Sequence, residues 1–148
     1  DGRSYRSFNL VVADNRDAFW LRSMGEVAGG SIDVAEIPVG ISMLTAYDLN
    51  DLASGRVAFH RPRFETATTP DVDAGNWWSW QDLLASTEHA AGTDPRDAMR
   101  IKPDFGFGTL SSSLIALPAM NLPDYMPVWQ FAAGAPGEAA FEAVDLAV

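Results

Sequence analysis

Apolar, partly β-branched runs lie at both ends of this chain, and a section with helical periodicity separates them. That order constrains the fold more than any other feature. Residues 7–13 read as a buried strand and residues 18–22 as a second one, with only Asp14, Asn15, Arg16 and Asp17 between them. So short and polar a connection predicts an antiparallel hairpin. After a glycine-containing loop over 23–30, Ile32, Val34 and Glu36 alternate with Asp33, Ala35 and Ile37, which predicts a third strand. Residues 40–47 offer a fourth, followed by turn and capping side chains at Asp48, Asn50 and Asp51.

The period then changes. Residues 52–66 suit a short amphipathic helix, and Pro62 inside it predicts a kink or two helical pieces. A surface loop over 67–76 leads to Trp77, Trp78, Trp80, Leu83 and Leu84 at helical intervals, with Asp73 or Asn76 available as a cap. Further strands are predicted over 109–117, 128–132 and 140–144. Strands at both ends around a helical centre predict an α+β domain with a largely antiparallel sheet and helices on one side. The regular strand–helix alternation of a doubly wound fold is absent.

Composition limits what such a domain does. With 148 residues and 47% of them hydrophobic, the chain has the content of one domain with a real core. Twenty acidic residues against ten basic ones give a net charge of -10, which repels phosphate backbones and argues against a nucleic-acid partner. There is no cysteine, so disulfides, thiolate metal sites and thiol nucleophiles are excluded. No apolar run approaches the roughly 18 residues of a membrane span, and a cytoplasmic location is expected.

Few residues suggest chemistry. His60 and His89 lack any paired metal-ligand spacing, so no metal site is expected. Arg56, His60, Arg61 and Arg63 form the one basic cluster, and the four-residue step from Arg56 to His60 puts both on one helical face, suited to a carboxylate or phosphate. Pairing with surplus carboxylates is the more economical reading of the arginines, since surface pairs of this sort are common. Adjacent helical residues diverge by about 100°, so at least one of Trp77, Trp78 and Trp80 must be exposed. Phe105-Gly106-Phe107-Gly108 precedes a strand and lacks a lysine, and so reads as a tight turn rather than a phosphate cradle. Ser111, Ser112 and Ser113 read as alternating strand positions, without the elbow of a hydrolase nucleophile. The pairs Asp14/Asp17 and Asp48/Asp51 read as turn and capping residues.

Several of these segments together resemble a known family. Phe8-Asn9-Leu10-Val11-Val12-Ala13-Asp14, the strand with Trp20, Pro38-Val39-Gly40-Ile41 leading to Leu44 and Asn50-Asp51, and Phe107-Gly108-Thr109 before Ser111-Ser112-Ser113 resemble the later part of proteins of the NRDE family, which includes the transport and Golgi organisation protein 2 group. Asn15-Arg16-Asp17 echoes the family's name-giving motif but stands in an internal strand pair. The resemblance implies an α/β/β/α sandwich like that of N-terminal-nucleophile hydrolases, in which an N-terminal cysteine acts as nucleophile and base. This chain opens on Asp1 and holds no cysteine, so no catalytic residue is expected in it. Leu44-Thr45-Ala46 stands where related cysteine hydrolases carry an oxyanion asparagine after Leu-Ser or Leu-Thr, and Gly108-Thr109-Leu110 stands for the family's Gly-Thr-Arg. Neither alanine nor leucine replaces those groups.

The resemblance thus implies that residues 1–148 are either a single domain or the C-terminal two-thirds of a larger NRDE-like domain. Its role would be small-ligand binding or trafficking, or else forming the pocket of an amide hydrolase whose nucleophile lies in another segment. Candidate ligand contacts are Asn50, Asp51, Arg56, His60, Thr109 and Ser111. Haem held by the Arg56 and His60 face beside an exposed tryptophan is a further possibility. A lone half-sandwich would leave an apolar sheet face bare, to be covered by the missing N-terminal segment or by self-association.

Overall fold

The computed structural model describes residues 6–25, 29–103, 106–122 and 124–146. The opening Asp1-Gly2-Arg3-Ser4, part of the 23–30 loop and Phe105 of the predicted turn lie outside these residues. Among the described residues the fold is mixed α+β, with two α-helices and two separate three-stranded antiparallel sheets. The first sheet is β1 (Phe8–Ala13), β2 (Ala18–Ser23) and β3 (Ile32–Glu36), in chain order. The second is β4 (Ser112–Ala116), β5 (Val128–Ala132) and β6 (Glu142–Ala143), also in chain order. Between them lie α1 (Gly55–Thr66) and α2 (Trp78–Ala85).

The predicted hairpin forms as expected. Val11 faces Trp20 and Leu10 faces Leu21 across the β1–β2 ladder, and the connecting turn is held by Asp14, whose Oδ1 accepts from the backbone N–H of Arg16 and of Asp17, each at 2.8 Å. Those two bonds lower the Asp14 pKa. A turn built on one aspartate is the Asx pattern the sequence suggested.

Residues 40–47 do not form the fourth strand. Gly40 has φ +109° and Asn50 has φ +58°, values a ladder does not accept. Asn50 organises this segment as a loop: its Oδ1 accepts from the Met43 N–H at 2.8 Å, its Nδ2 donates to Ser42 Oγ at 3.2 Å, and its own N–H donates to the Met43 carbonyl at 2.9 Å. Side-chain bonds thus replace the ladder that the apolar content predicted.

Helix α1 runs without a break through Pro62. Proline removes the bond to the carbonyl of residue 58, and Ala58 lies on the solvent-exposed side of the helix, where losing that bond costs less than it would in the core. Val57, His60 and Phe64, at steps of three and four, form its buried stripe. Ser54 caps the helix by accepting from the Val57 N–H at 3.4 Å. Removing that cap in Ser54→Ala is expected to lower unfolding free energy by about 1 kcal/mol, read from a denaturant midpoint shift at constant slope.

The buried apolar residues come from the helical section, the segment after it and the inner face of the second sheet. They are Val57, Phe64, Trp77, Ala98, Ile101, Leu114 and Ala132. Phe64 and Trp80 meet edge to face with centroids 5.5 Å apart, tying α1 to α2. The tryptophans divide as the helical geometry required, with Trp77 5% exposed and Trp78 56% exposed. Trp77 itself occupies the cap position of α2, and Asn76 contributes by accepting from the Trp78 N–H at 3.4 Å.

Both sheets leave an apolar face open. In the first sheet Phe8, Leu10, Val12, Phe19, Leu21, Ile32, Val34 and Glu36 share one side by register, and β3 is exposed along its length. In the second, Leu114 and Ala132 turn inward, while Ile115 at 59% exposed and Phe131 at 36% lie on the opposite side. Among the described residues, no helix is long and apolar enough to cross a membrane.

Candidate functional site

The loop at residues 45–48 forms the wall between two cavities. On one side is a cleft of about 350 Å3 lined by residues that include Asn9, Arg22, Ser23, Thr45, Ala46 and Asp48. On the other is a smaller one of about 150 Å3 that includes Ser54, Arg56, Arg96 and Asp97 and shares Thr45 and Ala46 with the first. A recess of about 220 Å3 lined by Trp20, Arg22, Asp33, Ala35 and Asp48 shares Arg22 and Asp48 with the first cleft.

The polar face of the first sheet builds the larger cleft. Asn9, Trp20, Arg22 and Asp33 project from it, opposite the bare apolar side, because strand residues alternate. Asn9 ties the loop down: its Nδ2 donates to the carbonyls of Thr45 at 2.9 Å and Tyr47 at 3.0 Å, and its Oδ1 accepts from Trp20 Nε1 at 3.0 Å. Two carbonyls and one indole N–H fix the orientation of the amide uniquely. Arg22 then bridges the loop and β3. Its Nη1 donates to both oxygens of Asp48, at 2.6 and 2.5 Å, and its Nη2 donates to Asp33 at 3.3 Å. Asp48 chiefly, and Asp33 after it, raise the Arg22 pKa, so the guanidinium stays charged. One cation against two carboxylates leaves this group with a net negative charge, and Trp20 adds an aromatic face, with the Arg22 guanidinium carbon 5.8 Å from its centroid.

Two hydroxyls at the cleft, those of Ser23 and Thr45, are occupied. Ser23 accepts from the Gly25 N–H at 3.2 Å, and Thr45 Oγ1 accepts from the Tyr47 N–H at 3.2 Å while donating to Ser54 Oγ at 3.4 Å. Neither is paired with a base that would make it a nucleophile.

The residues singled out from the sequence are spread over the molecule. Arg56 lines the smaller cavity, where its Nη2 donates to the Arg96 carbonyl at 2.6 Å and Asp97 lies close enough to attract it. Burial lowers the Arg56 pKa against that attraction. Asp97 rests against the first turn of α1, where a Cβ on residue 55 would lie 2.3 Å from its Oδ2, so Gly55 is what admits the carboxylate there. His60 is wholly buried; its Nε2 donates to the Glu88 carbonyl at 3.1 Å and its Nδ1 has no partner. It therefore shares no open face with Arg56, and iron ligation by His60 would require the helix to unpack. Asn50 is committed to the 42–50 loop as described, and Asp51 accepts from the Ala53 N–H at 2.8 Å in the turn before α1. Thr109 Oγ1 accepts from the Ile101 N–H at 2.9 Å and donates to the Met99 carbonyl at 3.4 Å, clamping two chain segments together. Ser111 is exposed just ahead of β4. Of the neighbouring serines, Ser113 accepts from Trp129 Nε1 at 3.2 Å and Ser112 turns to the other face with an unpartnered Oγ.

Sequence reasoning missed Asn9, Arg22 and Asp48 as a group. Asp48 had been assigned to a turn, and the 26-residue separation from Arg22 gave no local signal. An arginine and an asparagine pointing the same way from adjacent strands of a predicted hairpin was the available clue. No group of three or more His, Cys, Asp or Glu among the described residues is placed to hold a metal ion. Compared with protein-family models, curated proteins and solved structures, the chain matches none.

Proposed function

We propose that this chain is a non-catalytic, C-terminal portion of an NRDE-like protein, one part of an α/β/β/α sandwich, and that it binds a small molecule in the cleft beside the 45–48 loop. The observation that carries the binding role is the cleft itself: about 350 Å3 of space faced by the Asn9 amide held by three hydrogen bonds, an ion-paired guanidinium and Asp48. Support for the sandwich comes from the bare apolar face on each sheet, the condition of a layer that a further layer covers.

The net negative charge around Arg22 selects the ligand's chemistry. An amine gains from Asp48, Asp33 and the Trp20 face, whereas a carboxylate is repelled by the same groups. Thermal-shift titration with butylamine and with butyrate tests this. Butylamine is expected to raise the melting temperature and butyrate to leave it unchanged; in Asp48→Asn the amine response should fall at least threefold. Equal responses to both probes would remove the proposal.

A second reading places the same cleft in the wall of an N-terminal-cysteine amide hydrolase. What favours it is the place of residue 46, the position matching the oxyanion asparagine, which lines both cavities; the alanine there donates nothing, so the oxyanion donor would have to come from the added segment. Turnover of acyl-amides by a protein joining this chain to a cysteine-bearing segment would establish it, and absence of turnover across a broad panel would exclude it.

A further inference from the structure

The open side of the first sheet has a composition that says what fits it. Leu10 is 48% exposed, Val12 51%, Phe19 39%, Ile32 45% and Val34 62%, all on one face of β1, β2 and β3. Exposed apolar side chains scattered singly need no explanation, but five contiguous ones mark a contact surface. Three strands of five or six residues give a platform of roughly 20 by 14 Å, the footprint of a helix about 14 residues long rather than of a whole globular partner.

The same face carries a carboxylate. Glu36 stands beside Phe19 in the β2–β3 register, on the side of Val34 and Ile32, and has no hydrogen-bond or ionic partner among the described residues. A cover that is wholly apolar would desolvate Glu36 without compensation, whereas a cover bearing a cation would pair with it. A second copy presents the same carboxylate and the same net charge of -10, so self-stacking brings like charges together on an apolar contact.

We propose that the face of Leu10, Val12, Phe19, Ile32 and Val34 docks a cationic amphipathic helix of a partner protein, which lays its apolar stripe on the sheet and sets a Lys or Arg on Glu36. This stands apart from the polar groups of the small-ligand cleft, since Asn9 and Arg22 project from the opposite side of the same sheet. Recognition is then a helix laid on a sheet face, with apolar contact providing affinity and one charge pair setting orientation.

Fluorescence anisotropy with a labelled Leu/Lys amphipathic peptide, and with a Leu/Glu peptide of the same pattern, tests the proposal on the 148-residue chain. The Leu/Lys peptide should bind and the Leu/Glu peptide should not. Glu36→Gln should weaken binding about fivefold to tenfold, while Asp82→Asn, which makes the same charge change on the exposed side of α2, should leave it unaltered. Val34→Asp should abolish binding, with circular dichroism confirming that the sheet is retained. Equal losses in Glu36→Gln and Asp82→Asn would reduce the interaction to general attraction by an acidic protein and overturn the proposal. So would sedimentation showing a dimer of this chain that Val34→Asp disrupts, since that assigns the face to a second copy.

Discussion

Replacing His60 by alanine is expected to remove about 3 kcal/mol of unfolding free energy. The side chain is 0% exposed and is the largest of the fully buried ones. It packs edge to face on Phe59 with centroids 4.9 Å apart and holds the Glu88 carbonyl, joining α1 to the segment after α2. Alanine leaves a cavity bounded by helix on one side and by an orphaned carbonyl on the other, and neither collapses easily. The same site gives a pH dependence. Burial, with the Arg63 and Arg56 charges, lowers the His60 pKa below 6.5, outweighing the bond to Glu88. A protonated ring would also present a buried Nδ1–H with no acceptor. The unfolded chain therefore binds this proton more readily than the folded one. Stability from neutral His60 is full above pH 6.5 and declines as pH falls through the lower folded-state value. Denaturant melts at several pH values should show that decline in the parent chain and a flatter profile in His60→Ala.

The second large effect belongs to Asn9. Asn9→Ala deletes three hydrogen bonds that together hold the 45–47 segment and the Trp20 ring to β1. At about 1 kcal/mol each, partly offset by water reaching the loop, the loss is about 2 kcal/mol. Asn9→Asp should be worse although its shape is the same. Its carboxylate would face the Thr45 and Tyr47 carbonyls, turning two donated bonds into acceptor–acceptor contacts. Equilibrium unfolding of both variants checks the order, and an Asn9→Asp chain as stable as Asn9→Ala would show that the amide does not carry the loop.

What could be read from the sequence followed the range over which the forces act. The hairpin, the third strand and both helices were legible because each is specified by neighbours: four connecting residues force β1 onto β2, and Val57, His60 and Phe64 repeat at helical spacing. The one proposed strand that failed, over 40–47, has strand-like composition but is shaped by Asn50 reaching back to Met43, which no period-two pattern reveals. Pro62 was expected to bend α1, and whether it did depended on the exposure of Ala58, a tertiary fact. The cleft was the least legible part, since Arg22 meets Asp48 and Asn9 meets Thr45 only after the sheet and loop are assembled. Of the chosen candidates, Asn50 and Thr109 had the right chemistry for a ligand, but nearby backbone groups take up that capacity. Arg56 reached a cavity because the first turn of α1 opens onto the 45–48 loop.

On the proposed function, the cleft beside Asn9, Arg22 and Asp48 holds a small cationic molecule. Amide and side-chain NMR of the 148-residue chain titrated with butylamine tests it most directly. Saturable shifts are expected, confined to the Asn9 side-chain amide, the Trp20 indole, the Arg22 guanidinium and the 45–48 backbone. Shifts spread evenly over exposed acidic positions such as Glu65 and Asp82, with the Asn9 and Trp20 signals unmoved, would contradict it.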